Sequence, residues 1–113
     1  LIFDCEDIHN FQSHGCYFQN YHAKIHIGQG TYIAPNCGFI TANHDLNDLS
    51  KSAGAADIHI GKNCWIGMNS ILLPGVSLAD GVVVGAGSTV TKTISKSNCI
   101  VGGNPARIIR DLI

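Results

Sequence analysis

Aliphatic residues recur every sixth position through the second half of the chain, at Ile60, Ile66, Leu72, Leu78, Val84 and Val90. The position two residues before each of them holds a small or β-branched residue in all six repeats: Ile58, Cys64, Ser70, Val76, Val82 and Ser88. A period of six fits neither an α-helix nor a long alternating strand. It predicts a coil of short strands joined by regular turns, with both recurring positions facing inward and the residue between them facing outward.

The same spacing occurs upstream, at Ile27, Ile33 and Phe39, but out of phase with the later series. Ile27 and Ile60 are 33 positions apart, which is not a multiple of six. The coil must therefore be interrupted between them. The polar segment 41–56 predicts a protruding loop at this point, and loops on rigid scaffolds often carry function.

The two ends of the chain depart from the repeat. Residues 1–24 follow it poorly, which predicts an irregular first coil. At the other end, Gly102-Gly103-Asn104-Pro105 stops the repeat, and we expect residues 105–113 to form a short C-terminal helix that starts at its proline. The prediction is one all-β domain over residues 1–113.

Composition narrows the function classes. Of the 113 residues, 45% are hydrophobic and 13% charged, which suits a globular core, and the net charge of -1 argues against a protein that coats nucleic acid or anionic membrane. No apolar run reaches the roughly 20 residues that span a bilayer, and the first residues lack the basic start of a secretion signal. These features predict a cytoplasmic protein. The five cysteines form no CxxC pair, so no disulfide framework or zinc site is predicted from them.

The ordered motifs of the chain resemble those of the hexapeptide-repeat acyltransferases, in the branch of the maltose, galactoside and streptogramin acetyltransferases. The segments that carry this resemblance are Ile25–Gly28, Ile33–Asn36, Asn43-His44, Cys64–Gly67, Leu73–Val76, Gly85–Lys92 and Gly103–Arg107. The resemblance implies a left-handed parallel β-helix. It also implies a homotrimer with active sites between neighbouring β-helices, acetyl-CoA as the acyl donor in a groove, and a small-molecule or glycan acceptor.

The resemblance assigns the catalytic role to His44 in the interrupting loop. An imidazole titrates near neutrality and can take the proton of an acceptor hydroxyl as that hydroxyl attacks a thioester. Asn43 beside it is expected to bind the acceptor. His14 is the second expected acceptor-binding residue, because it falls about where sugar-specific relatives carry an acceptor-binding asparagine.

The expected cofactor-binding residues follow from the same resemblance. Trp65 would line the groove, and the backbone at Met68 and Ala86 would meet the pantetheine chain. Basic side chains suit the nucleotide phosphates, because the planar arginine fork donates paired hydrogen bonds. The full expected set is Trp65, Met68, Ala86, Thr91, Lys92, Arg107 and Arg110.

The leading interpretation is an acetyl-CoA-dependent O-acetyltransferase that acts on a hydroxyl of a sugar or glycan. Several alternatives to it stay open on the sequence alone. An N-acetyltransferase of an amino-sugar, a serine acetyltransferase or an antibiotic-inactivating enzyme could use the same histidine and groove. A γ-type carbonic anhydrase shares the β-helix and binds zinc through three histidines at a subunit interface, but its closely spaced histidine motifs are absent here. A catalytically idle trimeric scaffold is the third class.

Overall fold

A computed structural model describes all 113 residues, and its strands wind into a left-handed parallel β-helix with three flat faces. The elements are one 3₁₀-helix, η1 (Cys5–Phe11), and fourteen short strands. The strands are β1 (Tyr17–Gln19), β2 (Ile25–Ile27), β3 (Tyr32–Ile33), β4 (Gly38–Ile40), β5 (Ala42–His44), β6 (Ser52–Ala55), β7 (Ile58–Ile60), β8 (Trp65–Ile66), β9 (Ile71–Leu72), β10 (Ser77–Leu78), β11 (Val83–Val84), β12 (Thr89–Val90), β13 (Cys99–Gly103) and β14 (Ala106–Asp111).

Each face of the β-helix is one sheet. The four-stranded sheet has the order β1-β4-β9-β12, the three-stranded sheet β10-β7-β2, and the five-stranded sheet β14-β13-β11-β8-β3. All neighbours within them are parallel except β13 and β14. Strands of successive coils therefore lie directly on one another, as the six-residue spacing predicts.

The core confirms the predicted inward positions. All twelve residues of the two recurring series from Ile58 to Val90 are buried. Where a polar residue occupies the series, its hydroxyl is satisfied internally: Ser70 Oγ and Ser88 Oγ donate to the Gly85 carbonyl at 3.1 and 2.6 Å. The corner asparagines Asn63 and Asn69 have φ of 55° and 64°, the left-handed conformation that asparagine tolerates better than most residues.

The first coil is completed by η1 and β1. Ile2 bridges to His26, and β1 pairs with β4. Between them, the buried side chain of Asn10 in η1 donates to the Thr31 carbonyl at 2.7 Å and accepts from the Ile33 amide at 2.8 Å. Asn10 thus takes the place of a strand at the open edge of β3 and covers that end of the sheet.

The predicted C-terminal helix over residues 105–113 is wrong. The chain turns after Gly103, and β14 runs back antiparallel to β13, with Gly103 opposite Ala106 and Cys99 opposite Asp111. This pairing satisfies the free edge of β13, whereas an isolated helix of so few residues would be marginal in water. Lys96 Nζ pairs with the Asp111 carboxylate at 2.8 Å and holds the end of β14 in place.

No helix of the chain has the length and the apolar character needed to cross a membrane.

Candidate active site

The interrupting segment 41–56 folds as a hairpin of β5 and β6, which extends from the carboxyl end of β4. Its base is held by Gln19, whose Oε1 accepts from the amides of Thr41 and Ala42, both at 3.1 Å. Its tip is a chain of tight turns, in which the Asp48 carboxylate accepts from Ser50 Oγ at 2.6 Å and from the Ser50 amide. These bonds from Ser50 hold the pKa of Asp48 below its usual value. The hairpin is therefore an ordered platform.

His44 lies at the end of β5 with its ring exposed to solvent. Its Nδ1 is 2.8 Å from the main-chain carbonyl oxygen of Leu49. A carbonyl oxygen only accepts hydrogen bonds, so Nδ1 carries the hydrogen. In the neutral ring, Nε2 then has the free lone pair, which is the form that a general base requires.

His44 lines a cleft of about 260 Å³ between the hairpin and the first coil. The other lining residues are mostly polar: Gln19, Tyr21, Ala42, Asn43, Ser50, Lys51 and Ser52. Asn43 is thus brought together with His44. Sequence reasoning did not assign Gln19 and Tyr21 to the site, because the repeat is weak before residue 25. The pairing of β1 with β4 places Gln19 against the hairpin, and Thr41 Oγ1 donates to the Tyr21 carbonyl at 3.1 Å.

Seven of the expected site residues lie at the two edges of the four-stranded sheet. Its carboxyl edge, where β4 and β12 end, carries the hairpin with Asn43 and His44, and also Thr91 and Lys92. Its amino edge carries His14, Met68 and Ala86 in the turns that precede β1, β9 and β12. His14 therefore does not line the His44 cleft within one chain.

One backbone N–H group at the amino edge, that of Ala86, has no hydrogen-bond partner. Gly87 N–H donates to the Met68 carbonyl at 2.8 Å, and Gly85 N–H donates to the Val101 carbonyl at 2.8 Å. Ala86, exposed between them, makes no such bond through its own N–H. The carbonyl oxygen of an amide in an extended ligand could accept a hydrogen bond from this N–H group.

Trp65 and Arg110 belong to one row across the outer face of the five-stranded sheet. The register runs from Trp65 to Val83, from Val83 to Ile100 and from Ile100 to Arg110. Residues directly opposite one another project to the same side of a sheet, and three strand spacings amount to about 14 Å. Trp65 is 58% exposed, so this face offers an aromatic surface with a cation at its far end.

Arg107 lies at the start of β14, opposite Gly102, and projects to the same side as Arg110. The bulge between Ile100 and Val101 produces this alignment, since it adds a residue to β14 between the two arginines. The Arg107 guanidinium donates only to the neighbouring Ala106 carbonyl, at 3.3 Å. Both arginines are exposed and have no acidic partner, so they can receive an anionic ligand.

Comparison with known proteins agrees with this architecture. Residues 57–92 match the family model for the bacterial transferase hexapeptide (six repeats). A protein of Staphylococcus aureus (strain Mu50) with a provisional acetyltransferase name is 45% identical over 116 residues, which cover 82% of this chain and 58% of that protein. The chain thus spans about three fifths of the length of this curated relative.

Two solved structures are similar in both fold and sequence. A maltose O-acetyltransferase from Clostridium difficile 630 has a TM-score of 0.73 and 32% identity, over 90% of this chain and 65% of that one. A hexapeptide-repeat acetyltransferase from Vibrio cholerae, complexed with acetyl coenzyme A, has a TM-score of 0.76 and 35% identity, over 80% of this chain and 51% of that one. With the six-residue register and the repeat match, these likenesses establish that the chain belongs to the hexapeptide-repeat acetyltransferase family.

Proposed function

We propose that the protein is an acetyl-CoA-dependent O-acetyltransferase that acts on a sugar or glycan hydroxyl. The observation that carries the proposal is the hydrogen bond from His44 Nδ1 to the Leu49 carbonyl, which leaves Nε2 as a free base in a polar cleft. The acetyl-CoA complex of the Vibrio cholerae relative supports the choice of donor.

The reaction is a direct transfer. His44 Nε2 takes the proton of the acceptor hydroxyl while the oxygen attacks the thioester carbonyl of acetyl-CoA. The tetrahedral intermediate then collapses, the carbon–sulfur bond breaks, and the coenzyme A thiolate leaves and takes the proton from the imidazolium. The products are an acetyl ester and free coenzyme A, and no acyl-enzyme forms.

We assign the donor to a groove formed by two subunits of a homotrimer. Within one chain, the four-stranded sheet separates the His44 edge from the Met68 and Ala86 edge. A donor bound along the amino edge of one subunit would meet His44 from the carboxyl edge of its neighbour. In this arrangement the Ala86 N–H binds a pantetheine carbonyl, Trp65 packs against the groove, and Arg107 and Arg110 bind phosphates. Thr91 and Lys92 would contact the donor from the His44 side.

The cleft lining favours a hydroxyl-rich acceptor. Gln19, Asn43 and Ser52 offer both donors and acceptors, and the exposed ring of Tyr21 offers an apolar surface to a sugar face. The Clostridium difficile relative is a maltose O-acetyltransferase, which points to the same acceptor class. His14 could reach this acceptor only from a neighbouring subunit.

A cytoplasmic location agrees with the five free thiols.

A release assay tests this function. Purified protein is incubated with acetyl-CoA and a panel of matched acceptors, each sugar paired with its amino-sugar counterpart, while the free coenzyme A thiol is followed. We expect thiol release above background hydrolysis with hydroxyl sugars and a molar mass of a trimer by light scattering. Faster thiol release with the amino-sugars would show that the protein acetylates an amine, and the proposed reaction would then be N-acetylation. No acceptor-dependent release from a folded trimer would contradict acetyl transfer.

A further inference from the structure

Two histidines lie side by side on the outer face of the three-stranded sheet. His26 in β2 is paired in register with His59 in β7, although 33 positions separate them in sequence. Their rings are stacked, with centroids 4.4 Å apart and planes inclined by 10°. The parallel pairing of successive coils thus fixes two imidazoles next to each other on a rigid scaffold.

Asp57 completes a cluster with these rings. It directly precedes β7, and its Oδ1 accepts from the Lys24 amide at 2.9 Å, which anchors the carboxylate to the preceding coil. The second oxygen, Oδ2, is free of that bond and lies 3.7 Å from His26 Nε2. One ligand atom from each of His26, Asp57 and His59 can lie within 4.8 Å of the other two.

Two imidazoles and one carboxylate are the donor set of many zinc sites. Tetrahedral zinc with bonds of about 2.0–2.2 Å places its ligand atoms roughly 3.4 Å apart. The distance from His26 Nε2 to Asp57 Oδ2, 3.7 Å, is already close to this value. The two rings are nearly parallel, so each must turn about its side-chain bonds until its in-plane lone pair points at a shared ion. The side chains of His26 and Asp57 are 32% and 43% exposed, so an ion can reach them from solvent.

We propose that His26, Asp57 and His59 form a binding site for a divalent transition-metal ion, with Zn²⁺ as the expected ion and water in the fourth position. The ion would link β2 to β7. Because Asp57 lies between β6 and β7, it would also fix the point where the hairpin rejoins the coil. This site lies on the three-stranded sheet, does not include His44, and is independent of the proposed acetyl transfer. It differs from the γ-type carbonic anhydrase site, which needs three histidines.

Titration of the metal-free protein with ZnCl₂ by calorimetry tests the site. We expect saturable binding of one ion per chain and a higher melting temperature with zinc. His59→Ala and Asp57→Asn should each weaken binding by at least about tenfold, because even loss of outer-shell partners costs this much. Asp57→Asn keeps an oxygen for the Lys24 amide, so it removes the charge without removing the anchor. His9→Ala, which removes an imidazole beside Tyr32 on another face, is the matched control and should bind as wild type does.

Two results would overturn the proposal. One is the absence of saturable binding to the wild-type protein. The other is binding that persists in both His59→Ala and Asp57→Asn, which would indicate a thiol such as the exposed Cys5 instead. Imidazole NMR signals of the wild-type protein give a readout that needs no variant, because zinc at this site must shift the signals of His26 and His59 and leave that of His44 in place. The assay reads metal binding alone, so its failure and the failure of acetyl transfer are separate results.

Discussion

The imidazole of His44 is bonded through Nδ1 to the main-chain carbonyl oxygen of Leu49, 2.8 Å away across the hairpin turn. This bond sets the position of the ring and the tautomer at the same time, because the carbonyl can only accept. A loop residue thereby obtains the orientation that a general base needs, and the acceptor-facing nitrogen stays free. The hairpin in turn rests on the Gln19 side chain of the first coil.

The packing of successive coils predicts that alanine substitution destabilises the fold unequally at two glycines, Gly67 and Gly85, that occupy the same repeat position. A Cβ at Gly67 would lie 2.6 Å from the Val84 carbonyl oxygen, whereas a Cβ at Gly85 would find its nearest atom at 3.4 Å. Backbone atoms cannot move aside, so Gly67→Ala should lower the free energy of unfolding by about 1–3 kcal/mol. Gly85→Ala is the control and should change it by much less. Urea denaturation of both variants measures the difference, and equal destabilisation would contradict this account of the coil contact.

The sequence predicted the coils well because the packing has a fixed period. Each inward residue lies above the inward residue of the previous coil, so the six-residue spacing identifies the core from Ile58 to Val90. The interruption at residues 41–56 could also be located, since it breaks the phase between Ile27 and Ile60. The end of the repeat at Gly102–Pro105 was also located, but the return of the chain as β14 could not be predicted, because the open edge of β13 exists only once the sheet has formed.

The site was predicted less completely than the coils. His44 and Asn43 lie together in one cleft, but Gln19 reaches it through the pairing of β1 with β4 and Tyr21 through a hydrogen bond from Thr41, and neither contact has a local sequence motif. The stack of His26 on His59 likewise depends on register across the hairpin. Whether the residues expected to bind the cofactor act together stays a prediction, since the fold divides them between the two edges of the four-stranded sheet and the outer face of the five-stranded sheet.

The exposed arginines on β14 predict a specific effect on donor binding. Arg107→Ala should weaken acetyl-CoA binding by about tenfold to a hundredfold, because a charge-assisted hydrogen bond contributes about 1.5–3 kcal/mol. Lys62→Ala removes the same charge from the turn after β7, away from both edges that carry the expected site residues, and should leave binding unchanged. Calorimetric titration of the two variants provides the test. Equal affinities would exclude Arg107 from the phosphate site.

The buried thiols predict a loss of stability at alkaline pH. Burial raises the pKa of Cys37 and Cys64 above the ordinary 9.0, so both thiols stay protonated to a higher pH in the folded state than in the unfolded chain. The unfolded chain ionises these thiols first, so their contribution is fully present below pH 9.0 and is lost as pH rises towards the folded pKa. Urea midpoints of the wild-type protein should fall more steeply above this pH than those of Cys64→Val.

Valine suits this comparison because it occupies the same repeat position at Val76 and Val82. Lysine and tyrosine ionisation affects both proteins equally, so the difference between them isolates the thiol. Parallel pH profiles for the wild-type protein and Cys64→Val would show that the Cys64 thiol does not contribute.

The most direct test of the central claim compares the turnover of the wild-type protein with that of His44→Asn and His44→Ala under saturating acetyl-CoA and the best acceptor. The asparagine amide can still donate to the Leu49 carbonyl, so His44→Asn keeps the hairpin bond but has no base. The account predicts that both variants lose about 10²–10⁴-fold in kcat with acetyl-CoA affinity unchanged. Near wild-type turnover in His44→Asn would contradict it, and would show that His44 only holds the hairpin in place.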